Sequence, residues 1–180
     1  MTLQLHIFET ALGWAGVVGS DAAIAAALLP ETNPERVRSR LLRLHPEALE
    51  TEPAPALSAA AARIRGLIEG GDDDLIDLPL DYSSVSDFER RVYEIARRIV
   101  PGETTTYGDI ARQIGEVTDS QAVGKALGRN PFAPIVPCHR VVAAGQKLGG
   151  FSATGGRALK LKMLANEARW ARDDLFGRGG

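Results

Sequence analysis

The nine residues PIVPCHRVV, 134–142, hold the only cysteine of the chain, Cys138, with one of its three histidines, His139, directly after it. A neutral thiol is a poor nucleophile. The thiolate does the work, and forming it takes a base or a cationic neighbour. Pro137 stiffens the approach and Val141 and Val142 read as strand, so the pair sits on a sharp turn where both side chains can reach one cavity. A histidine base works best when a carboxylate orients its second nitrogen. Glu167, within LANEARW on an apolar-faced helix, is the candidate. The plain alternatives are a buried structural cysteine and a core histidine bonded to backbone. A papain-like hydrolase needs a distant histidine, and His6 and His45 sit in unpromising contexts.

The rest of the composition narrows the setting. One cysteine makes no internal disulfide, which fits a reducing cytosol. One cysteine and three dispersed histidines argue against a structural zinc site. No apolar run reaches the length of a membrane span, and MTLQLHIFETALGW lacks the basic start and apolar block of a signal peptide, so a cytoplasmic protein is expected. The net charge of −2 conceals an asymmetry: residues 88–180 carry fifteen Lys/Arg against nine Asp/Glu, residues 1–87 six against fourteen. A polyanion facing the C-terminal half, or a chance dipole between two domains, would each account for this.

The elements that must position the thiol follow from pattern. Residues 2–8 and Trp14–Val18 read as a strand pair. Asp21–Leu29 is alanine-rich and reads as a helix capped near Asp21, and Glu35–Leu44 as a second helix opened by Pro34. Residues 50–57 read as a loop and Ala59–Glu69 as a helix ending at Gly70-Gly71. An acidic turn and short strand lead to a boundary near residue 83. The expectation is an α/β scaffold domain over 1–83, a small sheet with helices, and a mainly α domain over 84–180 of winged-helix-like type. In the latter, a helix capped at Ser86 or Asp87 carries Phe88, Val92, Ile95 and Ile99 on one stripe and ends at Pro101-Gly102. Tyr107–Ile114 and residues 120–128 (Asp119 at the cap) form two short helices across a tight turn, the helix-turn-helix pattern. Asn130-Pro131 stops the second. After the thiol loop and a glycine-rich hairpin-like stretch, a last helix from Arg157 places Leu161, Leu164 and Ala168 on one face.

On the second short helix, Ala122 and Gly124 are small enough for a duplex to approach, and Lys125 and Arg129 can reach phosphates. Tyr107, with Thr106 just before it, stands at the start of the first. Small residues in a groove read little sequence, so any DNA binding would be sequence-tolerant. A hairpin that only packs the domain is the alternative. A DNA-gripping hairpin just before a lone nucleophile suggests chemistry on a base that has been turned out of the helix.

These residues carry a resemblance. NPFAPIVPCHRVV at 130–142, TTTYGDIARQIG at 104–115, FERRVYEIARRIVPGE at 88–103 and GGFSATGGRALKLKMLANE at 149–167 resemble the O6-alkylguanine-DNA alkyltransferases, the methylated-DNA–protein-cysteine methyltransferases. The resemblance covers the second domain, about half the chain. It implies irreversible, single-turnover transfer of an alkyl group from the O6 of a flipped guanine in double-stranded DNA, with no cofactor and no metal. By position, Cys138 is the acceptor, His139 the base acting through a water, and Glu167 the residue orienting His139. Asn130 is the hinge that fixes the thiol loop. Tyr107 assists flipping and binds the guanine edge, Ser152 and the backbone at Val141 contact the lesion, Phe151 and Tyr93 are pocket walls, and Lys160 is a lysine of the last helix.

Three features depart from the family. Gln121 stands where an arginine usually fills the gap left by the flipped base, Phe151 stands where tyrosine is common, and two extra residues fall within Ala153–Gly156. Gln121 leaves room for a second reading, a lesion-binding protein like the alkyltransferase-like group, although those replace the cysteine. A DNA-binding redox sensor is a third. A monomer is expected from size and the lack of an obvious interaction helix.

Overall fold

The computed structural model describes residues 2–115, 119–151 and 153–174. Near the N-terminus, β1 (Gln4–Thr10) and β2 (Gly13–Gly19) form an antiparallel hairpin. Next comes β3 (Ile24–Glu31), antiparallel to β2. Asp21–Leu29 is therefore not a helix. All eight residues of β3 are buried, and a strand covered on both faces shows an unbroken apolar run that short-range pattern cannot tell from a buried helix. Burial on two sides overrides the helical preference of alanine.

Helix α1 (Pro34–Leu44) starts where Asn33 accepts the Arg36 amide at 3.0 Å, with Pro34 in the first turn. The short β4 (Leu49–Glu50) runs parallel to β1, completing the order β3-β2-β1-β4. Helix α2 (Pro55–Ile68) begins within the stretch expected to be loop, because proline is well suited to a first helical turn. α1 packs Val37 and Leu41 against Leu5, Val18 and Leu28 on one face of the sheet. α2 packs Leu57, Ile64 and Ile68 against Phe8, Val17 and Ala27 on the other. The α1 contact is close: a Cβ at Gly16 would lie 2.6 Å from Val37 Cγ1.

The second unit opens with α3 (Asp87–Ala96), closed at its start by a reciprocal Ser86–Glu89 capping box. It stops at Ala96, before Pro101-Gly102, and buries Val92, Tyr93 and Ala96. Arg97 then donates to the carbonyls of Leu75, Ile76 and Leu78, tying the connector down. β5 (Thr105–Thr106) leads into α4 (Tyr107–Ile114), and α5 (Ser120–Gly128) follows with Asp119 accepting the Ala122 amide at 2.7 Å. These are the two helices the sequence pattern predicts. After the thiol loop, β6 (Val141–Val142) pairs in parallel with β5. The glycine-rich stretch is closed by a bridge between Ala143 and Lys147.

Helix α6 (Gly156–Asp174) turns a different face inward from the one expected. Leu159, Lys160, Met163 and Glu167 are buried, while Leu161 is 55% exposed. Ala168 is exposed as well. The expected stripe assumed that apolar means inside, and here a lysine and a glutamate mark the inner face.

The two units meet along β3. Its outer edge receives the loop before the thiol, with the Ala27 amide donating to the Pro131 carbonyl at 2.8 Å. Ile135 enters the core beneath the sheet. Among the described residues, no helix is long and apolar enough to cross a membrane.

Candidate active site

Cys138 opens a single 3-10 turn, Cys138–Arg140, wedged between Pro137 and β6. Asn130 shapes the approach. Its Nδ2 donates to the Val136 carbonyl at 2.8 Å and its Oδ1 accepts the Phe132 amide at 2.9 Å. One side chain thus holds the end of α5 to the thiol loop. Burial pushes the Cys138 thiol above its ordinary value, opposed by a hydrogen bond from Asn130 and the charge of Lys160. The resting group is a thiol that needs a base.

Behind it lies a buried ionic chain. Glu167 Oε1 stands 2.8 Å from His139 Nε2. Arg140 grips the same carboxylate with two nitrogens, Nε to Oε2 at 2.9 Å and Nη2 to Oε1 at 2.8 Å, and donates Nη1 to the Ile99 carbonyl at 2.6 Å. His139 and Arg140 have no exposed surface, and Glu167 has 1%. Burial alone would raise the Glu167 carboxyl, but His139 and Arg140 bring it down to about 2. Burial pushes the His139 imidazole below its ordinary value, with Glu167 pulling the other way. An ionised carboxylate only accepts, so Nε2 carries the proton and Nδ1 presents a lone pair. Nδ1 has no hydrogen-bond partner among the described residues. The chain is a neutral base with a fixed tautomer.

In front of the thiol is a cavity of about 690 Å³, lined by Tyr107, Gln121, Gly124, Lys125, Phe151 and Cys138 among others. That is ample for a purine. α5 lines it along its length, from Ser120 to Gly128, and Gly150 and Phe151 line it as well. Tyr107 donates its hydroxyl to the Gly150 carbonyl at 3.4 Å. At φ +70°, Gly149 lets the chain pass so close that a Cβ there would lie 3.1 Å from the Tyr107 ring. Burial raises the Tyr107 hydroxyl above its ordinary value, keeping it a donor. Lys160, buried on α6, donates Nζ to the Val141 carbonyl at 2.7 Å and sits 5.9 Å from the Tyr107 ring centre and 5.6 Å from that of Phe151.

The family described as 6-O-methylguanine DNA methyltransferase, DNA binding domain, matches residues 87–169. A methylated-DNA–protein-cysteine methyltransferase of Mycolicibacterium paratuberculosis is 43% identical over 115 residues, 64% of this chain and 68% of that one. A DNA base-flipping protein of Thermus thermophilus is 39% identical over 137 residues, 76% of this chain and 90% of its own. The crystal structure of Mycobacterium tuberculosis OGT in complex with DNA superposes with a TM-score of 0.74 at 32% identity, covering 96% of this chain and 97% of that one. The chain belongs to the methylated-DNA–protein-cysteine methyltransferase family.

Against the expectations for an alkyltransferase, the structure brings Cys138, His139, Glu167 and Asn130 together, and sets Tyr107, Phe151, Gln121, Gly124 and Lys125 around one cavity. Tyr93 is not a wall of it. The ring is fully buried against Phe132 and its hydroxyl donates to the Ala126 carbonyl at 2.8 Å, bracing α5 from behind. The Val141 side chain is fully buried and its carbonyl accepts from Lys160. Thr106 caps α4 in a capping box with Asp109. Ala122 is half-buried and does not line the cavity. Arg129 is exposed and lies 3.7 Å from Glu89. Ser152 lies outside the described residues.

Arg140 is the functional residue that sequence reasoning missed. The signal was present: an arginine between a histidine and two valines, in a segment otherwise apolar, has to be buried with a partner. Among the described residues, no group of three or more His, Cys, Asp or Glu could hold a metal ion.

Proposed function

We propose that the protein repairs alkylated DNA by taking an alkyl group from the O6 of a guanine onto Cys138, once per molecule, acting as a monomer on duplex DNA. The observation that carries this reading is the position of the thiol, at the junction of a purine-sized cavity on the recognition helix and the buried His139–Glu167–Arg140 chain.

DNA binds along α4 and α5, with Lys125 and Arg129 toward phosphates, and the damaged base turns into the cavity. The Cys138 proton passes through a water to His139 Nδ1, and Glu167 stabilises the imidazolium that forms. Lys160 lies near the developing thiolate and Asn130 donates to it. Sulfur attacks the alkyl carbon in line with the C–O6 bond. The S–C bond forms, the C–O6 bond breaks, and its electron pair leaves on guanine, which takes a proton. Tyr107 lines the cavity, and its hydroxyl turns from the Gly150 carbonyl to donate toward the base. The thioether is stable, so the protein is consumed. Residues 1–83 act as scaffold for residues 84–180.

A second reading, binding and flipping without transfer, draws on Gln121 and on the name of the Thermus relative. Intact-protein mass spectrometry after mixing with duplex DNA bearing one O6-methylguanine separates the two. Transfer adds a single methylene mass, located on the peptide bearing Cys138, and Cys138→Ala abolishes it while retaining DNA affinity. Binding with no mass gain would favour the second reading. Transfer by Cys138→Ala would overturn the assignment of the nucleophile.

A further inference from the structure

Glu31 closes β3, far from the thiol in sequence, and its side chain is fully buried. Three groups converge on it. Arg36 Nε lies 3.3 Å from Oε2, Arg40 Nη1 contacts Oε1, and the Thr154 hydroxyl donates to Oε1 at 2.8 Å. Arg40 Nη1 also reaches Thr154 Oγ1 at 3.4 Å. The two arginines belong to α1, on the sheet unit. Thr154 belongs to the segment between the cavity wall Phe151 and the start of α6. A sheet carboxylate therefore holds the loop that edges the base cavity.

Phe151 and Ala153 of that loop pack at the margin of a small cluster, Leu29, Ala133, Leu159 and Met163, but much of its backbone is glycine. Gly149, Gly155 and Gly156 adopt positive φ, and glycine-rich backbone loses more freedom on ordering than any other. The Tyr107–Gly150 bond is long at 3.4 Å. Thr154 lies in the region where this chain carries two residues more than its family resemblance leads one to expect. The same loop runs directly into the helix carrying Lys160 and Glu167.

We infer that Glu31 and Thr154 are positioning residues. The sheet unit, through this latch, holds Phe151 against the cavity and so sets affinity for the flipped base. This rests on the alkyl-transfer reading for the identity of the base, but the latch is measurable through binding alone.

The test uses the full-length protein and a duplex with one O6-methylguanine. Single-turnover transfer is followed by intact mass against protein concentration, and lesion-duplex affinity is measured separately in the Cys138→Ala background. Thr154→Val keeps shape and removes the hydroxyl. It is expected to raise the half-saturating concentration about fivefold, the size of one hydrogen bond. The plateau rate should stay within about twofold, since the transition-state contacts are untouched. Thr154→Ser is expected to restore wild-type behaviour, and Glu31→Gln to reproduce the affinity loss.

A Thr154→Val protein with wild-type half-saturation and affinity would overturn the inference. So would a loss that Thr154→Ser fails to recover, or a large drop in melting temperature with unchanged affinity, which would assign the contact to folding alone. Wild-type protein that binds lesion DNA without gaining mass would sink alkyl transfer and leave the latch to be decided by the affinity series.

Discussion

Replacing Arg140 by methionine removes one guanidinium and unbalances everything it touches. The side chain is fully buried, with two nitrogens on Glu167 and one on the Ile99 carbonyl. Methionine fills much of the space but returns none of these bonds. Glu167 is left as a buried carboxylate with a neutral histidine as its remaining side-chain partner, and breaking a buried ion pair from one side costs about 3–5 kcal/mol. For a chain of this size each kcal/mol moves the melting temperature by about 2–4 °C, so a fall of roughly 10 °C is expected. The carboxyl also loses the arginine that helps bring it down to about 2, and His139 loses a fixed orienter, so transfer should slow by about tenfold or more. Thermal melting and single-turnover mass spectrometry read the two effects separately. The double variant Arg140→Met/Glu167→Gln should cost less stability than its single changes added together, because the second change removes the stranded charge. An Arg140→Met protein that melts and transfers like wild type would refute the claim that Glu167 is held from two sides.

Three further outcomes are expected. Asn130→Ala cuts the tie between α5 and the thiol loop, and transfer should fall about tenfold or more because the nucleophile loses its alignment; a normal rate in the stopped assay would contradict this. Gln121→Arg should tighten duplex binding by adding a phosphate-seeking cation at the cavity mouth, with a steeper salt dependence; an unchanged salt slope would show that position 121 does not face the backbone. His139 and Glu167 are both held below their ordinary values of 6.5 and 4.5. The stability they contribute is therefore fully present above those values and lost as pH falls through the folded ones. Melting temperature and transfer rate should both decline on acidification below neutrality, and His139→Gln should flatten the decline nearest neutrality.

What could be read from the chain depended on how local the cause was. The α4–α5 pair was legible because its signals are written beside it, Asp119 at the cap of the second helix and Asn130-Pro131 at its stop. Cys138, His139 and Asn130 were legible as one short motif. β3 was not, since what makes those alanines a strand is cover from both sides, supplied by α1 and α2. The inward face of α6 was misread because Lys160 and Glu167 are polar, and their burial is explained by partners far off in sequence, the Val141 carbonyl for Lys160 and His139 with Arg140 for Glu167. The Glu31–Thr154 contact spans 123 positions, and neither neighbourhood hints at the other.

The pairing of β3 with the thiol loop has a consequence for how the chain may be cut. β3 is the outermost strand of its sheet, apolar along most of its length, and its free backbone edge is met by Leu80 and Phe132. An uncovered edge of this kind is a template for strand addition and aggregation. A fragment ending near residue 83 would keep Leu80 but lose Phe132, exposing the middle of that edge. Such a fragment should self-associate when expressed alone, so the catalytic half also serves as the edge guard of the half that supports it.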